Sequence, residues 1–260
     1  MITSTANPKI KWVRQLQAHS RERRQAGVFV VEGVRLVEEA LAAGWEAQLV
    51  LYTDDLSERG RQVVAGFSAR GAPVEQVFPE VLHAASDTET PQGLLAVLSQ
   101  RLLPLPASPN LVFIPDQVRD PGNLGTMLRT ALAAGVDAVF CPPETADAFA
   151  PKVLRAGMGA QFRLPIHSLD WDLIAPHLEP LQVYLAAMDE GLACTQANFR
   201  PPLALIVGSE AEGAGPQARR LANACVHIPM PGGSESLNAA VAAGILLFEV
   251  LRQRSTLLAS

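Results

Sequence analysis

The chain has 260 residues, 48% of them hydrophobic, and a formal net charge of -5; this specifies an ordered core and argues against a generic nucleic-acid coat. No apolar run reaches the length of a membrane span, and the N-terminal stretch "MITSTANPKIKWVRQ" lacks a signal-type apolar segment. Three cysteines without a CxxC pair and five scattered histidines imply neither a disulfide framework nor a metal site, and fit a reducing cytoplasm.

Up to residue 24 there are six basic residues, Lys9, Lys11, Arg14, Arg21, Arg23 and Arg24, against one acidic residue, Glu22. Such a patch binds phosphate even on an acidic protein, or else forms the solvated face of a helix. Next, "GVFVV" (27–31), "QLVLYT" (48–53), "VEQVF" (74–78) and "GLLAVLS" (93–99) read as short buried strands. Between them "EGVRLVEEALAAG" and "DLSERGRQVVAGFSARG" have helical apolar spacing and end on glycine. The proline-rich "RLLPLPASPN" (101–110) marks a domain boundary. Beyond it "LVFIPD", "DAVFC", "QVYLAA", "LALIVG" and "CVHIPM" are again strand-like and alternate with helical segments. Such alternation predicts parallel strands with helices on both faces, an α/β fold.

Three turns in the second half follow strands. In "PDQVRDPGNLGTMLRTALAAG" (115–135) the Asp-Pro-Gly-Asn sequence breaks the chain and Asn123 is expected to cap a helix. Gly125 and Arg129 share one face of that helix, a small residue beside a cation near a positive helix end, which suits an anion. In "LALIVGSEAEGAGPQA" (203–218) an apolar strand ends at Gly208, and Glu210 stands in the loop at the carboxyl end, where open α/β sheets bind ligands. The GxGxxG and GxxxxGK[ST] patterns are absent, which disfavours a dinucleotide fold and a P-loop. In "IPMPGGSESLNAAVAAGILLFEV" (228–250) glycines and serines precede a helix rich in alanine, whose small residues let another backbone pack closely. Cys225, in "CVHIPM", reads as a packed residue rather than a nucleophile.

"NLGTMLRTA", "LIVGSEAEG" and "IPMPGGSESLNAAVA", in this order, resemble the three motifs of the SpoU/TrmH family of RNA ribose 2′-O-methyltransferases, in the SPOUT superfamily. "NPKIKWVRQLQ", "FVVEGVRLVEEAL" and "TPQGLLAVL" resemble the L30e-like substrate-binding domain that precedes many members. The resemblance implies an L30e-like α/β domain over 1–101, a linker over 102–109 and a SPOUT α/β domain over 110–260 with a parallel sheet and a C-terminal trefoil knot. S-adenosyl-L-methionine is the implied cofactor, bound mainly by backbone, with Gly208, Ile228, Met230 and Leu237 along its adenosine. Asn123, Arg129, Glu210, Ser236 and Asn238 match the polar positions of the reacting centre. The implied substrate is RNA, ribosomal RNA ahead of transfer RNA, with Lys9, Lys11, Arg14, Arg23 and Arg24 as RNA contacts. A homodimer through the knotted domain, with neither membrane nor metal, completes the expectation. A base-methylating SPOUT enzyme and a catalytically inactive RNA-binding homologue are the alternatives. Two departures from the family pattern stand out: Gly157, where many relatives carry serine, and the alanines of "SLNAAVA".

Overall fold

The computed structural model describes residues 1–209, 212–233 and 235–255. The chain divides into two compact units, Met1–Arg101 with Phe149–Phe162, and Leu102–Ala148 with the chain from Arg163 onward.

In the first unit, α1 (Pro8–Ala18) starts at Asn7, whose side chain accepts the Lys9 N–H at 2.9 Å, with proline in the first turn. It leads into α2 (Ser20–Ala26), β1 (Val28–Glu32), α3 (Val34–Ala42), β2 (Ala47–Tyr52), α4 (Glu58–Ala69), β3 (Val74–Gln76), α5 (Pro79–Ala85) and β4 (Leu94–Ser99). The sheet order is β1-β4-β2-β3. Strand β4 runs antiparallel to both β1 and β2, and only β2 and β3 are parallel. The all-parallel reading of the first half is therefore corrected: the last strand inserts between the first two instead of extending the sheet at its edge. On one face Val28, Val30, Leu49, Leu51, Leu95 and Val97 bury against Ile10, Val13 and Leu16 of α1 and Val81 and Leu82 of α5. The period-2 alternation turns Phe29 to the opposite face, where its ring meets Trp45 at 5.4 Å and Phe149 at 4.9 Å. Trp45 donates from Nε1 to the Phe162 carbonyl at 3.1 Å. Residues 149–162, including α7 (Pro151–Gly157), lie in the sequence-assigned second domain yet pack here, because Phe149 and Phe162 complete this aromatic cluster.

The second unit is built on seven parallel strands among the described residues: β5 (Leu111–Pro115), β6 (Ala138–Cys141), β7 (Ile166–Ser168), β8 (Gln182–Ala186), β9 (Leu192–Ala193), β10 (Leu203–Val207) and β11 (Ala224–His227). Their order is β7-β6-β5-β10-β8-β11-β9. From β5 the chain builds outward to β6 and β7, and β10 later inserts beside β5, pairing Leu203–Val207 with Leu111–Pro115 residue for residue. A crevice at such a reversal is where open sheets place ligands. Both strands are fully buried, as expected for central parallel strands with covered faces. One face is covered by α8 (Trp171–Leu178) and α9 (Pro216–Leu221), through Ile174, Leu178 and Ala218. The other carries α6 (Pro121–Ala133) and α10 (Ala239–Ser255), which pack on each other and on β5 and β10 respectively. Gln253 of α10, buried, accepts the Phe199 N–H at 2.9 Å and donates to Ala197 O at 3.0 Å. It thereby ties the C-terminal helix to the loop before β10. Strands β7 and β9 were not legible in the sequence, being only three and two residues long.

Candidate active site

The site gathers at the carboxyl ends of β5, β8, β10 and β11. After β10 the chain turns at Gly208, where a Cβ would lie 2.3 Å from Ala214 N and from Gly213 C. No side chain fits there, so glycine is required by close backbone approach. Ser209 and Gly213 exchange two backbone hydrogen bonds, each 3.0 Å, which close the loop into a tight hairpin. Glu210, the expected carboxylate of this turn, lies outside the described residues. The base of the hairpin is fastened by Asp116, directly after β5. Its Oδ2 accepts the Gly215 N–H at 2.7 Å, and its own N–H donates to Val207 O at 2.9 Å. Asp116 is 1% exposed, and burial pushes its carboxyl above the ordinary value, with Glu144 adding to the push and the Gly215 N–H opposing it.

A cleft of about 460 Å³ opens beside this hairpin. Gly208, Ile228, Met230 and Leu237, all four positions expected along the adenosine, line it, together with Ser236. Its remaining lining mixes small residues such as Ala186 and Ala242 with charged ones, Asp189, Glu190, Glu212 and Arg219. An adjoining, smaller cleft of about 190 Å³ shares Ser209, Glu212 and Ala239 with the first and is lined by Gln117, Arg119, Asp120 and Asn123. Asn123 does not cap α6. Asp120 does, its carboxylate accepting the Asn123 N–H at 2.8 Å with Pro121 in the first helical turn. That frees the Asn123 side chain to accept from Asn238 Nδ2 at 2.9 Å. Asn238 in turn caps α10, accepting from Ala240 and Val241 at 2.9 and 3.2 Å. Arg129 lines neither cleft; it is exposed on α6.

Residues 110–248 match the SpoU rRNA Methylase family, and residues 7–96 match the MRM3-like substrate binding domain. The chain belongs to the SpoU rRNA methylase family. It is 34% identical to the Bacillus subtilis 23S rRNA (guanosine(2553)-2'-O)-methyltransferase RlmP, over 96% of this chain and 98% of that protein. An AdoMet-bound rRNA methyltransferase from Sinorhizobium meliloti superposes with a TM-score of 0.86 at 34% identity, covering 96% of this chain and 97% of that one. The SpoU methyltransferase AviRb from Streptomyces viridochromogenes, in complex with AdoMet, gives 0.87 at 27% identity, covering 96% and 99%.

The cleft of this SpoU family member suits that cofactor on its own evidence. Its volume lies in the usual range for small-molecule sites, roughly 300–1,000 Å³. Small residues leave the main chain accessible, while Ile228, Met230 and Leu237 offer an apolar wall for a purine. Asp189, Glu190 and Glu212 suit the cofactor's cationic groups and ribose hydroxyls, and Arg219 suits its carboxylate. Sequence reasoning passed over these residues and Asp116. A carboxylate ending the apolar run "LVFIP" was the available signal for Asp116.

The basic patch is corrected in part. Arg23 is 4% exposed and donates from Nη1 to Leu16 O at 2.7 Å, so it fastens α1 to α2 and is not available to RNA. Lys9, Lys11, Arg14 and Arg24 are exposed, and Lys9 pairs with Glu75. Gly157 is internal: a Cβ there would meet the Gln161 side chain at 2.9 Å, so a serine would face Gln161. Cys225 is half-buried and packs against the core of the second unit, with Sγ 3.9 Å from Glu190 Oε2. Among the described residues no helix is long and apolar enough to cross a membrane.

Proposed function

We propose that this protein transfers a methyl group from S-adenosylmethionine to a ribose 2′-hydroxyl of ribosomal RNA. The observation that carries the reading is one cleft lined by Gly208, Ile228, Met230, Leu237 and Ser236, next to the hydrogen-bonded pair Asn123 and Asn238. When bound, S-adenosylmethionine supplies an electrophilic methyl carbon on a sulfonium. The chain's own residues then hold the hydroxyl in line and stabilise the charge that develops on its oxygen. Ser236 orients the ribose, and Asn123, held by Asn238, sets the acceptor side. Glu210, by its place in the motif, orients the cation that steadies the nascent alkoxide. That cation is Arg129, which stays protonated and so acts as a charge rather than a base. The O–CH3 bond forms as the S–CH3 bond breaks, with neutral S-adenosylhomocysteine leaving and the hydroxyl proton passing to solvent water.

Arg129 reaches a reacting centre in a homodimer, in which the site is completed by both chains. Support comes from α10: Val241, Ile245 and Phe248 are 40–51% exposed and lie on the side of the helix away from the buried Ala243 and Val250. An exposed apolar stripe of this kind marks an association surface. The knotted threading of the C-terminal segment belongs to the same reading. The 1–101 domain reads the RNA through Lys11, Arg14 and Arg24, with Lys9 once released from Glu75, in a cytoplasmic setting.

The test is mapping of modified nucleotides in ribosomal and transfer RNA from a strain lacking the gene. Loss of one 2′-O-methyl group from ribosomal RNA is expected, restored by the purified protein. Loss of a base methyl group, or of a transfer-RNA modification alone, would replace this assignment. An RNA carrying 2′-deoxyribose at the target nucleotide should bind without accepting methyl.

A further inference from the structure

The smaller cleft holds one cation among the described residues lining it, Arg119. Its Nη2 lies 2.5 Å from Glu144 Oε2 and 3.5 Å from Glu212 Oε2. The two carboxylates come from different loops, Glu144 after β6 and Glu212 from the hairpin beside the larger cleft. All three side chains are more than half exposed, at 59%, 57% and 61%. Exposed ion pairs contribute about 0–1 kcal/mol, so a stronger anion displaces them readily. Resting on the function proposed above, we infer that this cleft receives the sugar and phosphate of the target nucleotide and that Arg119 is its phosphate contact, with Glu212 as the group the phosphate replaces.

Three observations converge on this. First, the cleft shares Ser209, Glu212 and Ala239 with the larger one, so a sugar seated in it adjoins whatever fills that cleft. Second, at about 190 Å³ it is smaller than a complete ligand site and suits part of a nucleotide. Third, its polar wall pairs an amide, Asn123, for a hydroxyl with a guanidinium for a phosphate. Arginine binds phosphate through two parallel N–H donors, a geometry that Glu144 and Glu212, both approaching the single nitrogen Nη2, do not match. The carboxylates of Asp120, Glu144 and Glu212 also repel RNA that fails to engage Arg119, so the contact selects for a correctly seated nucleotide.

The test compares Arg119→Ala, Arg119→Lys and Glu212→Gln with wild type in the full-length protein. The probe is ribosomal RNA from a strain lacking the gene. KM and kcat for this RNA, its retention against salt, and S-adenosylmethionine affinity by calorimetry are measured together. Arg119→Ala should raise KM or the RNA Kd on the order of tenfold and reduce the salt slope by about one, while the cofactor Kd stays within about twofold. Arg119→Lys should fall between, and Glu212→Gln should tighten RNA binding. Unchanged RNA affinity and slope in Arg119→Ala would overturn the proposal. So would a loss of cofactor affinity in Arg119→Ala as large as its loss of RNA affinity, which would make the ion pair a loop latch. A wild type that retains the RNA but transfers no methyl would sink the reaction assignment, leaving Arg119 to be judged on retention alone.

Discussion

Asn238 donates from Nδ2 to Asn123 Oδ1 at 2.9 Å while its own Oδ1 caps α10. One side chain therefore starts the last helix and ties it to the first turn of α6, across 115 residues of sequence. The two duties separate by substitution. Asn238→Ala should lose about 1–2 kcal/mol in urea unfolding through the cap alone. Asn238→Asp keeps the cap acceptor but cannot donate to Asn123, so it should stay close to wild-type stability and lose turnover. Equal destabilisation of both variants would make the asparagine pair the structural element and the cap incidental.

Arg129 is exposed on α6 and lines neither cleft. Arg129→Ala should therefore leave S-adenosylmethionine affinity within a few-fold of wild type while abolishing turnover, as expected for an interaction made chiefly in the transition state. If calorimetry instead shows lost cofactor binding as the main defect, the assigned role is wrong. Mixing Arg129→Ala with a variant disabled in the cofactor cleft should partly restore activity in a shared-site dimer.

The basic N-terminal residues divide by burial. Arg23→Ala should lower stability by about 1–3 kcal/mol, because the Leu16 carbonyl loses a charged donor inside the fold. Lys11→Ala with Arg14→Ala should leave the melting temperature nearly unchanged and make the salt dependence of RNA binding shallower. A shallower slope from Arg23→Ala without destabilisation would reverse this division.

Gly208→Ala is expected to disrupt the hairpin, since its Cβ would stand 2.3 Å from backbone atoms of Gly213 and Ala214. No flexible side chain is available to yield. The variant should lose cofactor affinity by at least about tenfold, with lower thermal stability, a combination that calorimetry and a melting curve read directly. Wild-type affinity would show that the loop has a second low-energy course.

Asp116 links pH to stability. Burial raises its carboxyl pKa in the folded state above the ordinary 3.8, so between the two values the native chain binds more protons than the unfolded one. Stability contributed by this group therefore falls as pH rises through that window and stays lower above it. Asp116→Asn removes the titration and keeps an oxygen for the Gly215 N–H. The stability of the variant relative to wild type should thus rise as pH increases from the ordinary carboxyl value through the raised folded-state value. A constant offset would mean that the carboxyl does not titrate there.

Much of this protein was decided locally and could be read from the sequence. The apolar runs "LVFIP" and "LALIV" became β5 and β10 because only strands covered on both faces bury every residue. The three glycine-bearing turns marked the binding end of the sheet, since missing side chains record where backbones approach. Family resemblance then named Gly208, Ile228, Met230 and Leu237, and the fold brings them to one cleft. Tertiary structure alone decided the rest. The antiparallel insertion of β4 depends on pairing between strands far apart in the chain, which periodicity does not encode. Arg23 looks like its exposed neighbour Arg24 in sequence, and only the close approach of α2 to the carbonyl of Leu16 makes it structural. Phe149 and Phe162 are ordinary apolar residues until Phe29 and Trp45 meet them in the first unit. Asp116 acquires its role from Gly215, 99 positions later, because a hydrogen bond depends on distance in space and chain order carries no such distance.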